Sequence, residues 1–408
     1  MNFKLIYINE LFKQNLAIPD YQRPYRWKAG NAQILFDDLY ASYKKNKEGE
    51  YRIGSIVLFH DKEDKYYIID GQQRITTLLI LLYCLGHNED RLLKSLEYSG
   101  LSGKAIKDNQ RALKEKCKNI IECEKKAFSD YILNNCTFIE IVTENEADSF
   151  IYFDSLNSKG KPLSPHDLLK AYHLREISDM DEETKKGLVE KWEKADEGDN
   201  LFYFFFYNLY PIVRWSNGLD GNYYDRDKIN TFKGIPNNAY PYSEFFKKSE
   251  NSCFLLSEPF MAGKGFFEYV SKYLELKELI EEKIRKLKDL DTNEYTWGNY
   301  YVKQLYINVC IFYADRFGID NLDDSALRFF YKWAYTLRIN KSRLMYESIN
   351  RYALYGDYGI NAMNIFMLIR EMTAPDQIYS IHLADCEKPD PNSKSFPFWK
   401  SIYGGENE

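Results

Sequence analysis

Residues 66–77 read YYIIDGQQRITT, and the fold turns on how that stretch is read. Tyr66 to Ile69 are strand formers, Asp70-Gly71 ends the strand, and Ile75, Leu78, Leu79 and Leu82 then recur at helical spacing. Just upstream, RIGSIVLFH (52–60) and KYYIID (65–70) flank Asp61-Lys62-Glu63-Asp64, a linker polar enough to turn a hairpin. A hairpin that feeds directly into a buried helix is the predicted centre of an α/β unit. Working outward, an extended piece is predicted over Ile18–Arg23. A helix over about 29–43 would carry Ala32, Leu35, Phe36, Leu39 and Tyr43 on one face. TFIEIV (137–142) predicts a further strand. Ser164-Pro165-His166-Asp167 predicts a helix start, with serine capping and proline in the first turn.

Beyond about residue 180 the pattern changes to helices rich in aromatics, such as LFYFFFYNLYPIVRW (201–215) and ALRFFYKWAYTLRI (326–339). The expected organisation is an α/β domain over 1–180 followed by a mostly α-helical domain over 181–408. The aromatic runs read most simply as core or interface, with a base-reading aromatic cage as the lesser alternative.

The bulk properties narrow the function classes. A formal net charge of −6 means that any nucleic-acid contact must be local. Seven scattered cysteines without a C-x-x-C pair read as reduced thiols. Charges interrupt the apolar run of MNFKLIYINELFKQ, so it does not read as a signal peptide, and no stretch has the composition of a membrane span. A cytoplasmic protein without membrane contact is expected. The many lysines of 104–128 are interspersed with glutamates, which favours a solvated helix face over a DNA-binding patch.

A helix N-terminus leaves backbone N–H groups unpaired and favours anions. Gly71 lets a ligand approach the backbone, and Arg74 adds a guanidinium fork suited to phosphate. Gln72 and Gln73 can bond a phosphate, a ribose or a base edge, and Thr76 and Thr77 a phosphate or a metal-bound water. Asp70 is repelled by phosphate, so it needs Mg²⁺, a sugar hydroxyl or Arg74 as its partner. The plain alternative is that Asp70 caps the helix and Arg74 pairs with a surface acid.

Two further clusters bear on that choice. IPDYQRPYRWK (18–28) sets Arg23, Arg26 and Lys28 among Tyr21, Tyr25 and Trp27, cations interleaved with rings at a proline-stiffened turn. An edge segment with a small aromatic core is the competing reading. FDSLNSKGKPLSPHDLLK (153–170) offers Asn157, Lys159 and Lys161 at a glycine loop before the capped helix, or simply an interhelical turn.

Together, D-G-Q-Q-R before an apolar helix, I-P-x-Y-Q-R-x-Y-x-W upstream and F-x-x-L-N-x-x-G-x-P-L-x-x-x-D-L-L-K downstream resemble one family. It is the ParB/sulfiredoxin-like N-terminal domain of GmrSD-type restriction enzymes and related phage-defence proteins, and the resemblance covers about residues 1–180. It implies that Asp70, Gly71, Gln72, Gln73 and Arg74 form the motif for nucleotide binding and hydrolysis. Tyr21, Gln22, Arg23, Tyr25, Arg26 and Trp27 match the family's first stretch, and Asn157, Gly160, Asp167 and Lys170 its third. The implied ligands are a nucleoside triphosphate and Mg²⁺, the latter on Asp70, in a system that restricts modified or phage DNA.

Complete members add an HNH-type nuclease, which needs histidine and metal ligands at the scissile phosphate. This chain has five histidines, and His382 is the only one beyond His173, with no nuclease-like start around it. The nuclease is therefore not carried over, and cleavage is expected to fall to a partner subunit. The competing expectations are a module that reads modified DNA or its backbone without hydrolysis, and a scaffold that recruits a nuclease.

Overall fold

The computed structural model describes residues 2–19, 22, 24–87, 96, 98, 102–144, 164–177, 181–236, 241, 255–356 and 361–404. The chain forms two compact units. Met1–Leu163 and Asp181–Lys194 make the first; Ser164–Met180 and Ala195–Glu408 make the second.

The first unit is built on a mixed five-stranded sheet. Its strands are β1 (Asn2–Tyr7), β2 (Leu16–Ala17), β3 (Tyr51–His60), β4 (Tyr66–Asp70) and β5 (Cys136–Thr143), in the order β1-β5-β3-β4-β2. The predicted hairpin is β3–β4, paired antiparallel, with Asp61 Oδ1 accepting from the Glu63 and Lys65 N–H groups in the turn. β5 lies between β1 and β3, antiparallel to the first and parallel to the second.

Short helix α1 (Ile8–Leu11) follows β1. The longer helices are α2 (Ala29–Lys45), α3 (Gln72–Cys84), α4 (Ser102–Lys118) and α5 (Glu122–Asn135). The five apolar positions predicted for α2 are all buried, and α3 is buried from Ile75 through Leu82. The predicted extended piece at 18–23 is not a strand where it is described; only Leu16–Ala17 pairs. Pro19 lacks the N–H that a continued ladder would need. The Gln22 side chain takes over instead, donating Nε2 to the carbonyls of Ile68 (3.0 Å) and Ile69 (2.9 Å) on β4.

In the second unit, α6 (Pro165–Arg175) begins where predicted, although Ser164 makes no side-chain cap bond. Its hydroxyl donates to the Asp167 carboxylate at 2.7 Å, which draws it away from the helix N–H groups. Helix α7 (Glu182–Ala195) carries the chain through the first unit's second segment. The aromatic run at 201–215 forms α8 (Asn200–Phe204) and α9 (Tyr210–Trp215), separated by a π-helical turn over Phe205–Leu209. Pro211 explains the break, since it has no N–H to offer the carbonyl four residues back. Asn308 supplies the missing donor to the Tyr207 carbonyl (2.7 Å).

The core helix of this unit is α11 (Trp297–Phe317), buried continuously from Gln304 to Ala314. Around it pack α10 (Lys264–Lys286), α12 (Asp324–Asn340), α13 (Tyr346–Tyr355) and α14 (Ile365–Glu371). A helix apolar on all sides belongs inside. The second aromatic run is α12, whose Trp333, Tyr331 and Tyr335 are core residues. An α/β unit followed by a mostly helical region is therefore the observed architecture. Among the described residues no helix is long and apolar enough to cross a membrane.

His173 on α6 is buried and stacked on Phe266 at 3.9 Å. Burial pulls its imidazole down to about 3, partly opposed by its bond to the Phe232 carbonyl. Below about pH 6.5 the unfolded chain gains a proton here that the folded chain refuses, so stability falls with pH. Between pH 7 and pH 5 this one group is expected to remove about 2 kcal/mol. Urea midpoints of wild type and His173→Asn across that range check it: the variant's pH dependence should be smaller by about that amount.

Candidate nucleotide site at the start of helix α3

Gly71 is the N-cap of α3 and adopts φ +102°, a conformation that L side chains avoid. A Cβ here would stand 2.5 Å from Ile56 Cγ2 on β3. No side chain caps the helix, and the amides of Gln72, Gln73 and Arg74 find no acceptor among the described residues. The corner thus presents unclaimed N–H groups at the positive end of a helix dipole.

Asp70 and Arg74 meet at this turn. Arg74 donates Nη2 to Asp70 Oδ2 at 2.9 Å, with both side chains about one-fifth exposed. Of the three partners open to Asp70 from its chemistry, Arg74 is the one in place. Asp70 Oδ1 has no partner among the described residues. The guanidinium also stands over the Phe138 ring at 6.0 Å and lies against the backbone of Gly54. Gly54, at φ +149° beside a register shift of β3 on β5, leaves the space that Arg74 occupies. Glycine inside a strand pattern signals such a close approach, yet nothing in the sequence says what approaches.

The two glutamines divide their work. Gln73 Oε1 accepts from the N–H groups of Arg26 (2.9 Å) and Trp27 (3.1 Å), and its Nε2 donates to the Pro24 carbonyl (3.2 Å). It is a brace that fixes the first motif to the helix start. Gln72 is only 5% exposed, and its amide makes no hydrogen bond with a described residue.

The threonines sit behind the corner. Thr77 donates to the Gln73 carbonyl (2.8 Å) and accepts from the Tyr25 hydroxyl (2.8 Å). Tyr25 is fully buried, and burial pushes its phenol up to about 12. Its own N–H donates to Ser102 Oγ at 3.0 Å. Thr76 bonds the Tyr98 hydroxyl at 3.1 Å. Asn109 on α4 donates to the Trp27 carbonyl, and Arg26 pairs with Glu193 of α7 at 2.7 Å. Ser102, Asn109 and Glu193 were not singled out in the sequence, because each comes from a distant element and ordinary polar residues leave no local signature.

Tyr21, Arg23, Asn157, Lys159 and Gly160 lie outside the described residues. Asp167 and Lys170 belong to the second unit. Lys170 is buried, with Nζ 3.9 Å from Asp167 Oδ1. Among the described residues there is no cluster of three His, Cys, Asp or Glu side chains that could hold a metal. Mg²⁺ does not require one, since it shares one or two carboxylates with substrate phosphates and keeps several waters. Asp70 Oδ1 fits that role.

Two family matches meet this geometry. Residues 8–174 match the GmrSD restriction endonuclease N-terminal domain, which contains the whole corner. Residues 184–396 match a family of unknown function (DUF7834), and neither matched family is described as an HNH nuclease. The chain matches no curated protein. The N-terminal match suggests a role in a restriction system. The chain belongs to the family of unknown function (DUF7834), and ahead of that region it carries a GmrSD-type restriction N-terminal domain.

Proposed function

We propose that the first unit binds a nucleoside triphosphate at the start of α3 and hydrolyses it with Mg²⁺, as the sensor or regulatory part of an anti-phage restriction system. The observation that carries this reading is the uncapped helix start at left-handed Gly71, with Arg74 held one turn along. The amides of 72–74 receive phosphate oxygens, Arg74 neutralises charge that develops on them, and Gln72 orients an edge of the ligand. Asp70, whose Oδ2 accepts from Arg74, would be the residue that holds Mg²⁺. Bound there, the ion would neutralise phosphate charge. DNA cleavage is assigned to a partner subunit.

Triphosphate turnover by the full chain tests this. Asp70→Ala is expected to lower Mg²⁺-dependent phosphate release at least roughly a hundredfold while the urea midpoint stays near wild type. Unchanged turnover in a folded Asp70→Ala protein would remove Asp70 from the chemistry.

One observation favours a second reading. Asp70 already has a cation in Arg74, so the corner is electrostatically satisfied without a metal. In that case the same amides hold a DNA backbone phosphate and nothing is hydrolysed. DNA affinity would then fall steeply with salt, with no phosphate release in any condition.

A further inference from the structure

We propose that the helical unit carries a second ligand site, an aromatic cage for a methylated ammonium group, built where the π-helical turn meets the start of α11. A cavity of about 430 Å³ opens there, lined mainly by Tyr203, Tyr207, Glu294, Tyr295, Trp297 and Tyr300. That volume suits a small ligand.

The π turn makes the cage. By breaking the α-helical register before Pro211, it releases carbonyls that the ordinary ladder would hold. Asn308 and the Tyr346 hydroxyl recover those of Tyr207 and Phe206. Such turns cost stability and gather at functional sites. This one leaves Tyr203 and Tyr207 with parallel rings 6.2 Å apart, and sets Tyr207 edge-on to Tyr300 at 5.2 Å. Trp297 closes against Tyr300 and Tyr301, each at 6.0 Å. Three of the rings are open to solvent, Tyr203 at 50%, Trp297 at 70% and Tyr295 at 91%. Large rings left uncovered around one cavity are surface a folded chain rarely exposes without use.

Charge decides between occupants. Ring faces are negative and attract a cation, most strongly when it is weakly hydrated, as methylation makes it. Glu294 is on the wall, and an adjoining cavity that shares Tyr203 and Tyr300 adds Glu278 and Glu281. The lysines nearby are occupied: Lys303 with Glu294 at 2.6 Å and Lys277 with Glu281 at 2.7 Å. Glu278 has no cationic partner among the described residues, which leaves a net carboxylate in the adjoining cavity. A nucleotide or a DNA strand would bring phosphate to carboxylates, with the two lysines already paired. The Tyr300 phenol is raised chiefly by burial, then by Tyr207, Glu294, Tyr203 and Glu281, in line with a negative local field.

Calorimetry on the full chain tests the cage with choline, its uncharged tert-butyl analogue, an Nε-trimethyl-lysine amide and thymidine monophosphate. Saturable choline binding is expected, with the uncharged analogue weaker by roughly tenfold or more. Trp297→Leu, at an exposed ring, should cost about tenfold, and Glu294→Gln about threefold. Tighter binding of the lysine derivative than of choline would place the ammonium on a protein chain, and the reverse order would make it a free metabolite; both keep the proposal. Equal binding of choline and its uncharged analogue, no saturable binding, or a preference for the nucleotide would overturn it. Because this site lies in the helical unit, Arg74→Ala should leave choline binding unchanged, so failure here is distinct from failure at the corner.

Discussion

Arg74→Ala is expected to weaken nucleoside triphosphate binding by about thirtyfold to a hundredfold, measured by calorimetry on the full chain with Mg²⁺ present. Two losses add in the same direction. A charge-assisted bond from a guanidinium contributes about 1.5–3 kcal/mol, and removing it forfeits that. Asp70 is then left as an unpaired carboxylate at the start of α3, facing the incoming phosphates. The double variant Asp70→Asn/Arg74→Ala separates the terms: it should recover part of the loss, because the repulsion is gone while the missing donor is not. Full recovery would mean that Arg74 acts only by masking Asp70. Affinity unchanged in Arg74→Ala would end the case for a phosphate site at this corner.

Gly71→Ala should destabilise the first unit strongly, by about 2–4 kcal/mol. The left-handed backbone costs an L residue about 1–2 kcal/mol. The new Cβ, 2.5 Å from Ile56 Cγ2, adds overpacking against β3, where there is no flexible side-chain end to yield. Gly30→Ala in α2 is the matched control. A Cβ there meets nothing within 4 Å, so the methyl group should be neutral or mildly stabilising. Urea midpoints of the two variants measure the contrast. If both shifts are small, the corner is more plastic than its geometry implies.

Much of the first unit could be read directly from the chain because local rules govern it. Runs of strand formers located β3 and β4, helical spacing located α2 and α3, and a polar four-residue linker marked the hairpin. What could not be read was the division of labour within a motif. Gln72 and Gln73 are the same residue type side by side, and only the fold makes Gln73 a brace while Gln72 is buried without a bond to a described residue. Thr76 and Thr77 looked as available as any hydroxyls beside a phosphate site, yet both bond tyrosines. Those partners lie tens of residues away, and register along the chain carries no record of them. The same applies to Gly54, whose place in a strand run says nothing of the Arg74 side chain that a Cβ there would meet. In the helical unit, the aromatic runs were legible as core or interface, but the π turn was not. Pro211 was visible; the consequence depended on Asn308, nearly a hundred residues on.

The route of the chain has a consequence for how this protein can be taken apart. It passes from one unit to the other at 163/164, again at 180/181 and once more at 194/195. No single cut frees either half intact. A fragment ending at 180 loses α7 and with it Glu193, the partner of Arg26, and it takes α6 along from the other unit. Recombination at any one junction would likewise exchange an incomplete piece. The chain therefore passes on both units as one heritable block, and neither can be exchanged for another through a single junction.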